Sequence, residues 1–205
     1  MNIAVTGGMG SGKSFVAEAL SKMIGAESIS ADLVCRDLLE VGNSGYKRMR
    51  KNFSADFFLV DGQLNRPFLR KAIFTSATLR SQLDALLHPL VREELLLRCK
   101  DAKTKALNLV VEVPLLLEKG WQGDFDATLV VYADDEICLK RIIGRDMVSV
   151  DDARASISCQ MPLTEKCKLG DWVIDNSGSF DESLKQLEQL VEKITQKVLF
   201  KRKRK

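Results

Sequence analysis

Gly7-Gly8-Met9-Gly10-Ser11-Gly12-Lys13-Ser14 fits the pattern G-x-x-x-x-G-K-[ST]. Asn2 to Thr6 before it is a short apolar run. Lys13 to Met23 carries Phe15, Val16, Ala19, Leu20 and Met23 at helical spacing, so the loop lies between a strand and the start of a helix. In that setting glycines let successive backbone N–H groups turn toward phosphate oxygens, and the helix start adds the positive end of its dipole. Lys13 is placed to reach the β- and γ-phosphates of a nucleotide, and the Ser14 hydroxyl to bind a Mg²⁺ that bridges them. A glycine-rich turn without ligand is the alternative, and it leaves the complete match in the right strand–loop–helix setting unexplained.

Outward from the loop the same alternation continues. Glu27 to Ser30 reads as a second strand and Ala31 to Glu40 as a helix, stopped by Gly42-Asn43-Ser44-Gly45. No strong strand signal occurs from Tyr46 to Ala106. Leu83, Leu86, Leu87, Leu90, Val91 and Leu95 there form the apolar stripe of a long amphipathic helix, so this stretch reads as a helical insertion. Pro89 falls within the stripe and is expected to bend or restart the helix. Leu107 to Val113 and Ala127 to Tyr132 read as buried strands, Asp134 to Asp146 as a helix, Trp172 to Asp175 as a short last strand and Phe180 to Phe200 as a last helix. Strands alternating with helices predict an α/β fold, a parallel sheet with helices on both faces.

The chain has 205 residues, against roughly 100–200 for a usual domain, so one compact domain with insertions is expected. Hydrophobic residues make up 45% and charged residues 29%, which excludes a disordered or fibrous chain. The longest apolar run, Leu107 to Leu117, is broken by Glu112 and Pro114 and is far shorter than the ~20 residues of a bilayer crossing. The start, Met1-Asn2-Ile3, lacks the features of a secretory signal, and the cysteines Cys35, Cys99, Cys138, Cys159 and Cys167 form no C-x-x-C pair. Reduced thiols in a cytoplasmic protein are therefore expected. The net charge of +3 comes from the terminal Lys201-Arg202-Lys203-Arg204-Lys205, without which 26 basic residues face 28 acidic ones. Such a run is expected to be solvated, and neither nucleic acid nor membrane is expected as a partner.

A phosphate loop alone does not choose between a GTPase switch, an ATPase and a small-molecule kinase. No Asn-Lys-x-Asp or Thr-Lys-x-Asp element for reading guanine occurs in the chain. Asp32 follows the second strand at the carboxyl edge of the sheet, where it can serve as a general base toward an acceptor hydroxyl or cap the following helix. Arg141 and Arg145 stand four apart beside Lys140. They can clamp phosphate, or form a solvated face paired with Asp146 or Asp151. Glu112 at the end of the third strand is suited to holding a metal through water, and the single histidine, His88, reads from spacing alone as structural.

Several separated motifs, in order over nearly the whole chain, resemble the dephospho-coenzyme A kinase family. They are Thr6 to Ser14, Ser30-Ala31-Asp32-Leu33-Val34-Cys35-Arg36, Leu86-Leu87-His88-Pro89, Val113-Pro114-Leu115-Leu116-Leu117-Glu118, Arg141 with Arg145-Asp146, Gln160-Met161-Pro162, and Val173-Ile174-Asp175-Asn176-Ser177-Gly178. The resemblance implies the P-loop nucleoside triphosphate hydrolase fold with a core at about 1–35, 105–135 and 170–200, a helical coenzyme-binding part at 36–104 and a small helical lid at 136–169. It implies transfer of the ATP γ-phosphate to the ribose 3′-hydroxyl of dephospho-coenzyme A, with Mg²⁺. Asp32, Lys13 and Arg141 would be catalytic. Gly8, Gly10, Ser11, Gly12, Lys13, Ser14, Phe15, Arg141, Arg145 and Asn176 would meet ATP, and Asp32, Arg36, His88, Pro89, Leu116 and Glu118 the acceptor. Ser30 replaces the first aspartate of the family's D-A-D segment, and Phe15 replaces a threonine that can serve the α-phosphate. A kinase of the same class acting on a nucleoside monophosphate or small alcohol is the alternative.

Overall fold

The computed structural model describes residues 1–202, without the side chains at 74 and 197–202. The expectation for the basic run from Lys201 to Lys205 concerns side chains outside the described ones. In chain order the elements are β1 (Asn2–Gly7), α1 (Lys13–Met23), β2 (Glu27–Ser30), α2 (Ala31–Leu38), α3 (Ser44–Asn52), α4 (Arg66–Thr75), α5 (Ala77–Thr104), β3 (Leu109–Glu112), β4 (Ala127–Tyr132), α6 (Asp135–Asp146), α7 (Val150–Ser158), α8 (Leu163–Leu169), β5 (Trp172–Asp175) and α9 (Phe180–Arg202). The chain divides into two compact units, Met1–Ile29 with the chain from Ala102 onward, and Ser30–Asp101.

The first unit is built on a sheet ordered β2-β3-β1-β4-β5. β1 pairs in parallel with β3 (Ile3 opposite Val110) and with β4 (Ile3 opposite Ala127), and β4 with β5 (Leu129 opposite Trp172). Ile3 and Val5 pack with Val16, Ala17 and Leu20 of α1 and with Leu187, Leu190 and Ile194 of α9. Ala4 and Thr6 point to the opposite face by strand alternation and are 0% exposed as well, so both faces of β1 are covered. That double burial is why the strand is apolar throughout its centre instead of alternating. Because β3 and β4 flank β1 on opposite sides, the chain leaving its carboxyl end enters a crevice between diverging connections, where open α/β sheets bind ligands.

The second unit holds α2, α3, α4 and most of α5, around Leu39, Met49, Phe58, Leu64, Leu69, Leu83 and Leu87. Among its described residues the only extended pairing outside named strands is the single bridge between Phe58 and Leu64, in keeping with the absent strand signal. Two details go beyond the sequence reading. The glycine cluster is not a loop throughout, since α3 already starts at Ser44. Gly45 permits this early start, because a Cβ there would meet the Leu38 carbonyl oxygen at 2.7 Å. Pro89 does not restart its helix either: α5 continues through it. The missing N–H costs one bond to the Ala85 carbonyl, but the buried Leu83, Leu87, Leu90, Val91 and Leu95 on either side hold the helix together.

Candidate active site

The loop from Gly7 to Ser14 needs its glycines for specific reasons. A Cβ on Gly7 would meet the Ser11 hydroxyl and the Val131 carbonyl, both at 2.6 Å. Gly10 and Gly12 have φ of 78° and 85°, the left-handed region that disfavours side chains. Gly12 is the N-cap of α1, so the helix has no capping side chain, and its first turn contains no acidic residue. The N–H groups that open α1 are thus left to an incoming anion.

Groups on the far side of the loop hold it in shape. The fully buried Asn176, just past β5, donates from Nδ2 to the Ser11 carbonyl at 2.8 Å and accepts from Ser183 Oγ at 2.7 Å. Arg141 on α6 donates to the carbonyls of Gly10 (3.4 Å), Ser11 (3.5 Å) and Asn176 (3.0 Å). A peptide is planar and trans, so holding the Ser11 carbonyl to this side turns the Gly12 N–H to the other. Arg141 and Arg145 do not converge on one target. Arg145 is exposed and forms two 2.8 Å bonds with Asp146, as the solvated-face reading has it.

Ser14 Oγ donates to Glu112 Oε1 at 2.8 Å, which brings the end of β3 against the first turn of α1. Lys13 Nζ lies 3.5 Å from the Gly8 carbonyl, folded back over the loop. A hydroxyl and a carboxylate are hard oxygen donors suited to Mg²⁺, which in nucleotide sites takes one or two protein ligands beside phosphates and waters. Among the described residues no group of three or more His, Cys, Asp or Glu could hold a metal by itself. The donor set fits a metal that arrives with the nucleotide. Phe15, in the place of a threonine, packs against Phe180 with ring centroids 4.6 Å apart and the planes tilted by 45°.

In the second unit, Ser30 settles one open alternative. Its side chain accepts the Asp32 N–H at 3.3 Å and caps α2, so Asp32 is not the cap. Asp32 is exposed, and its carboxylate carries no hydrogen bond or ion pair among the described residues. Arg36 is exposed too, its carbonyl accepting from Arg66 at 3.3 Å, while His88 Nε2 sits 3.6 Å from Asp84 one helical turn earlier and Pro89 is exposed beside it.

Two residues expected at the acceptor are held within the fold. Leu116 is 0% exposed and packs in the core. Glu118 Oε1 pairs with Lys166 Nζ at 2.7 Å and accepts the Met161 N–H at 3.1 Å. Lys166 escaped the sequence reading. Its one signal is its place three residues after the buried Leu163, which puts a lysine on the apolar face of α8. Gln160 also gains a part, since its Oε1 accepts the Met9 N–H at 2.9 Å, beside a cleft of about 650 Å³ lined by Gly8, Met9, Tyr132 and Leu163.

Residues 1–182 match the family model described as dephospho-CoA kinase. A dephospho-CoA kinase of Desulfotalea psychrophila is 35% identical over 187 residues, covering 91% of this chain and 94% of the relative. A crystal structure from Thermus thermophilus superposes with a TM-score of 0.74 at 32% identity, covering 94% of this chain and 97% of that one. The dephospho-CoA kinase of Campylobacter jejuni gives a TM-score of 0.70 at 25% identity, covering 95% and 97%.

Proposed function

The chain belongs to the dephospho-CoA kinase family, and from that premise we propose how its residues divide the family's reaction. The protein is an ATP-dependent kinase that transfers the γ-phosphate of ATP to the ribose 3′-hydroxyl of dephospho-CoA, giving CoA and ADP. The observation that carries the division of roles is the open start of α1 beneath a loop braced from behind by Asn176 and Arg141. Preorganised donors of this kind lower a phosphoryl-transfer barrier because they need no reorganisation when charge develops.

The loop N–H groups of Gly10 to Phe15 hold the ATP phosphates and Lys13 neutralises charge on the transferred group. Ser14, and Glu112 through water, would hold a Mg²⁺ that arrives with ATP, and the ion would offset the negative charge of the phosphates. Asp32 accepts the proton of the acceptor hydroxyl as that oxygen bonds to the γ-phosphorus and the bond to the departing ADP oxygen breaks. The uncommitted carboxylate left by the Ser30 cap supports this role. Arg36, His88 and Pro89 meet the acceptor within a coenzyme-binding part at 36–104. Arg141 and Asn176 shape the ATP end, while Arg145, paired with Asp146, stays on the exposed face of the lid at 136–169. We place the reaction in the cytoplasm, in keeping with cysteines that form no C-x-x-C pair. Among the described residues no helix is long and apolar enough to cross a membrane.

The deciding experiment measures ADP release from Mg-ATP with no acceptor, with dephospho-CoA, and with nucleoside monophosphates and small alcohols. Stimulation confined to dephospho-CoA is expected. Equal stimulation by another acceptor would move the protein to a different substrate, and release without any acceptor would make it an ATPase.

A further inference from the structure

Lys166 is 0% exposed, and a buried ammonium is tolerated only when its charge and its donors are matched. Its Nζ meets three acceptors: the Gly7 carbonyl at 3.3 Å, the Pro114 carbonyl at 3.1 Å and Glu118 Oε1 at 2.7 Å. Thr6 Oγ1 donates to the same Pro114 carbonyl at 3.2 Å. Glu118 Oε1 also accepts the Met161 N–H, and the neighbouring Gln160 holds the Met9 N–H. α8, the turn after β3 and the first residues of the phosphate loop are therefore tied into one polar cluster. Glu118 Oε2, buried there, has no hydrogen-bond partner among the described residues.

We propose that Lys166 is a positioning residue for ATP, fixing the foot of the phosphate loop from below. Gly7 is where β1 passes into the loop, and holding its carbonyl fixes the plane of the peptide that follows and the direction of the Gly8 N–H. With Asn176 and Arg141 gripping the loop further along, Lys166 supplies the hold at its origin. Stability alone is a poor account of such a pair. Exchanging a buried ion pair for apolar groups is often neutral or stabilising, whereas removing one partner is costly. What the ammonium offers that a methionine does not is three directed donors on two backbone carbonyls and a carboxylate.

The proposal rests on the loop being the ATP phosphate site, which Lys13→Ala in the same assay reports on separately. Three variants test it: Lys166→Met, Glu118→Gln, and the double variant. The double variant leaves no lone buried charge and keeps an amide oxygen for the Met161 N–H. For each, Tm, kcat, both KM values and the Kd of a non-hydrolysable ATP analogue are measured. Lys166→Met should lower Tm, and the double variant should regain it. In both, KM and Kd on the ATP side should rise about tenfold or more while KM for dephospho-CoA changes less than about twofold. Glu118→Gln leaves the ammonium without its counter-charge and should lower Tm too, but it retains the lysine on Gly7 and Pro114 and should leave ATP affinity within about twofold of the parent. Recovery of ATP affinity together with Tm in the double variant would overturn the proposal. So would equal losses for both substrates, or a tenfold loss in Glu118→Gln alone.

Discussion

The side-chain amide of Asn176 holds the carbonyl of Ser11 at 2.8 Å across 165 residues of chain, and neither group is exposed. The bond joins the corner after β5 to the middle of the phosphate loop. It also packs tightly, since a Cβ on Gly12 would run into the Asn176 amide. The shape of the loop is thus imposed from outside as much as by its glycines.

Asn176→Leu should cost about 2–4 kcal/mol of stability, because the Ser11 carbonyl and the Ser183 hydroxyl both lose a buried partner. Urea unfolding of parent and variant checks this. A loss under about 1 kcal/mol would mean that water or neighbouring groups replace the amide.

Lys13→Ala should remove measurable transfer while the protein stays folded, because the lysine Nζ lies over the loop, 3.5 Å from the Gly8 carbonyl, and carries no core packing. Turnover near the parent's in a variant with an unchanged circular dichroism spectrum would refute its placement at the phosphates.

Asp32→Asn should lower kcat by about 10²–10⁴ and leave the Kd of ATP nearly unchanged. Because Ser30 caps α2, stability should hardly move. A drop in kcat of less than about tenfold would exclude the general-base role.

Arg141 and Arg145 should separate cleanly. Arg145→Ala removes an exposed pair with Asp146 and should shift stability by less than about 1 kcal/mol. Arg141→Ala removes three bonds to carbonyls in and beside the loop and should weaken ATP binding at least about tenfold. Titration with an ATP analogue distinguishes them, and equal effects would count against the bracing role of Arg141.

Asp126 makes stability sensitive to acid. Burial works to raise its carboxyl, but the Asn2 N–H at 2.7 Å and the Lys103 ammonium at 3.1 Å outweigh that and hold it below its ordinary value of 3.8. A depressed carboxyl contributes stability that is complete above the unfolded value and is lost as pH falls through the folded one. Asp126→Asn should therefore cost about 1 kcal/mol at neutral pH, a difference that shrinks as pH falls below the ordinary carboxyl value of 3.8. A difference constant across that range would remove the carboxylate from the account.

Much of the core was legible because its signals are local. The limits of α1, β2, β4 and β5 follow from apolar period and breakers alone. The phosphate loop is a run of neighbours whose glycines do what any chain with those dihedrals requires. Ser14 and Glu112 were each singled out, but their 2.8 Å contact depends on the parallel register that sets Val5 beside Glu112.

Other features had no local signal or a misleading one. Pro89 breaks a helix by propensity, yet buried leucines on both sides outweigh the one lost bond. Ser30 and Asp32 are both good caps, and only the path of the chain at the end of β2 decides that Ser30 takes the bond. Leu116 and Glu118 look alike as parts of one motif until packing buries the first and gives the second to Lys166.

By itself the sequence determined that this protein has a strand–loop–helix phosphate site in an α/β fold, because those features depend on residues a few positions apart. The tertiary structure decided which polar groups meet the loop, since the partner of a buried group such as Lys166 or Asn176 lies 159 or 165 residues away and is selected only when the sheet order brings the strands together.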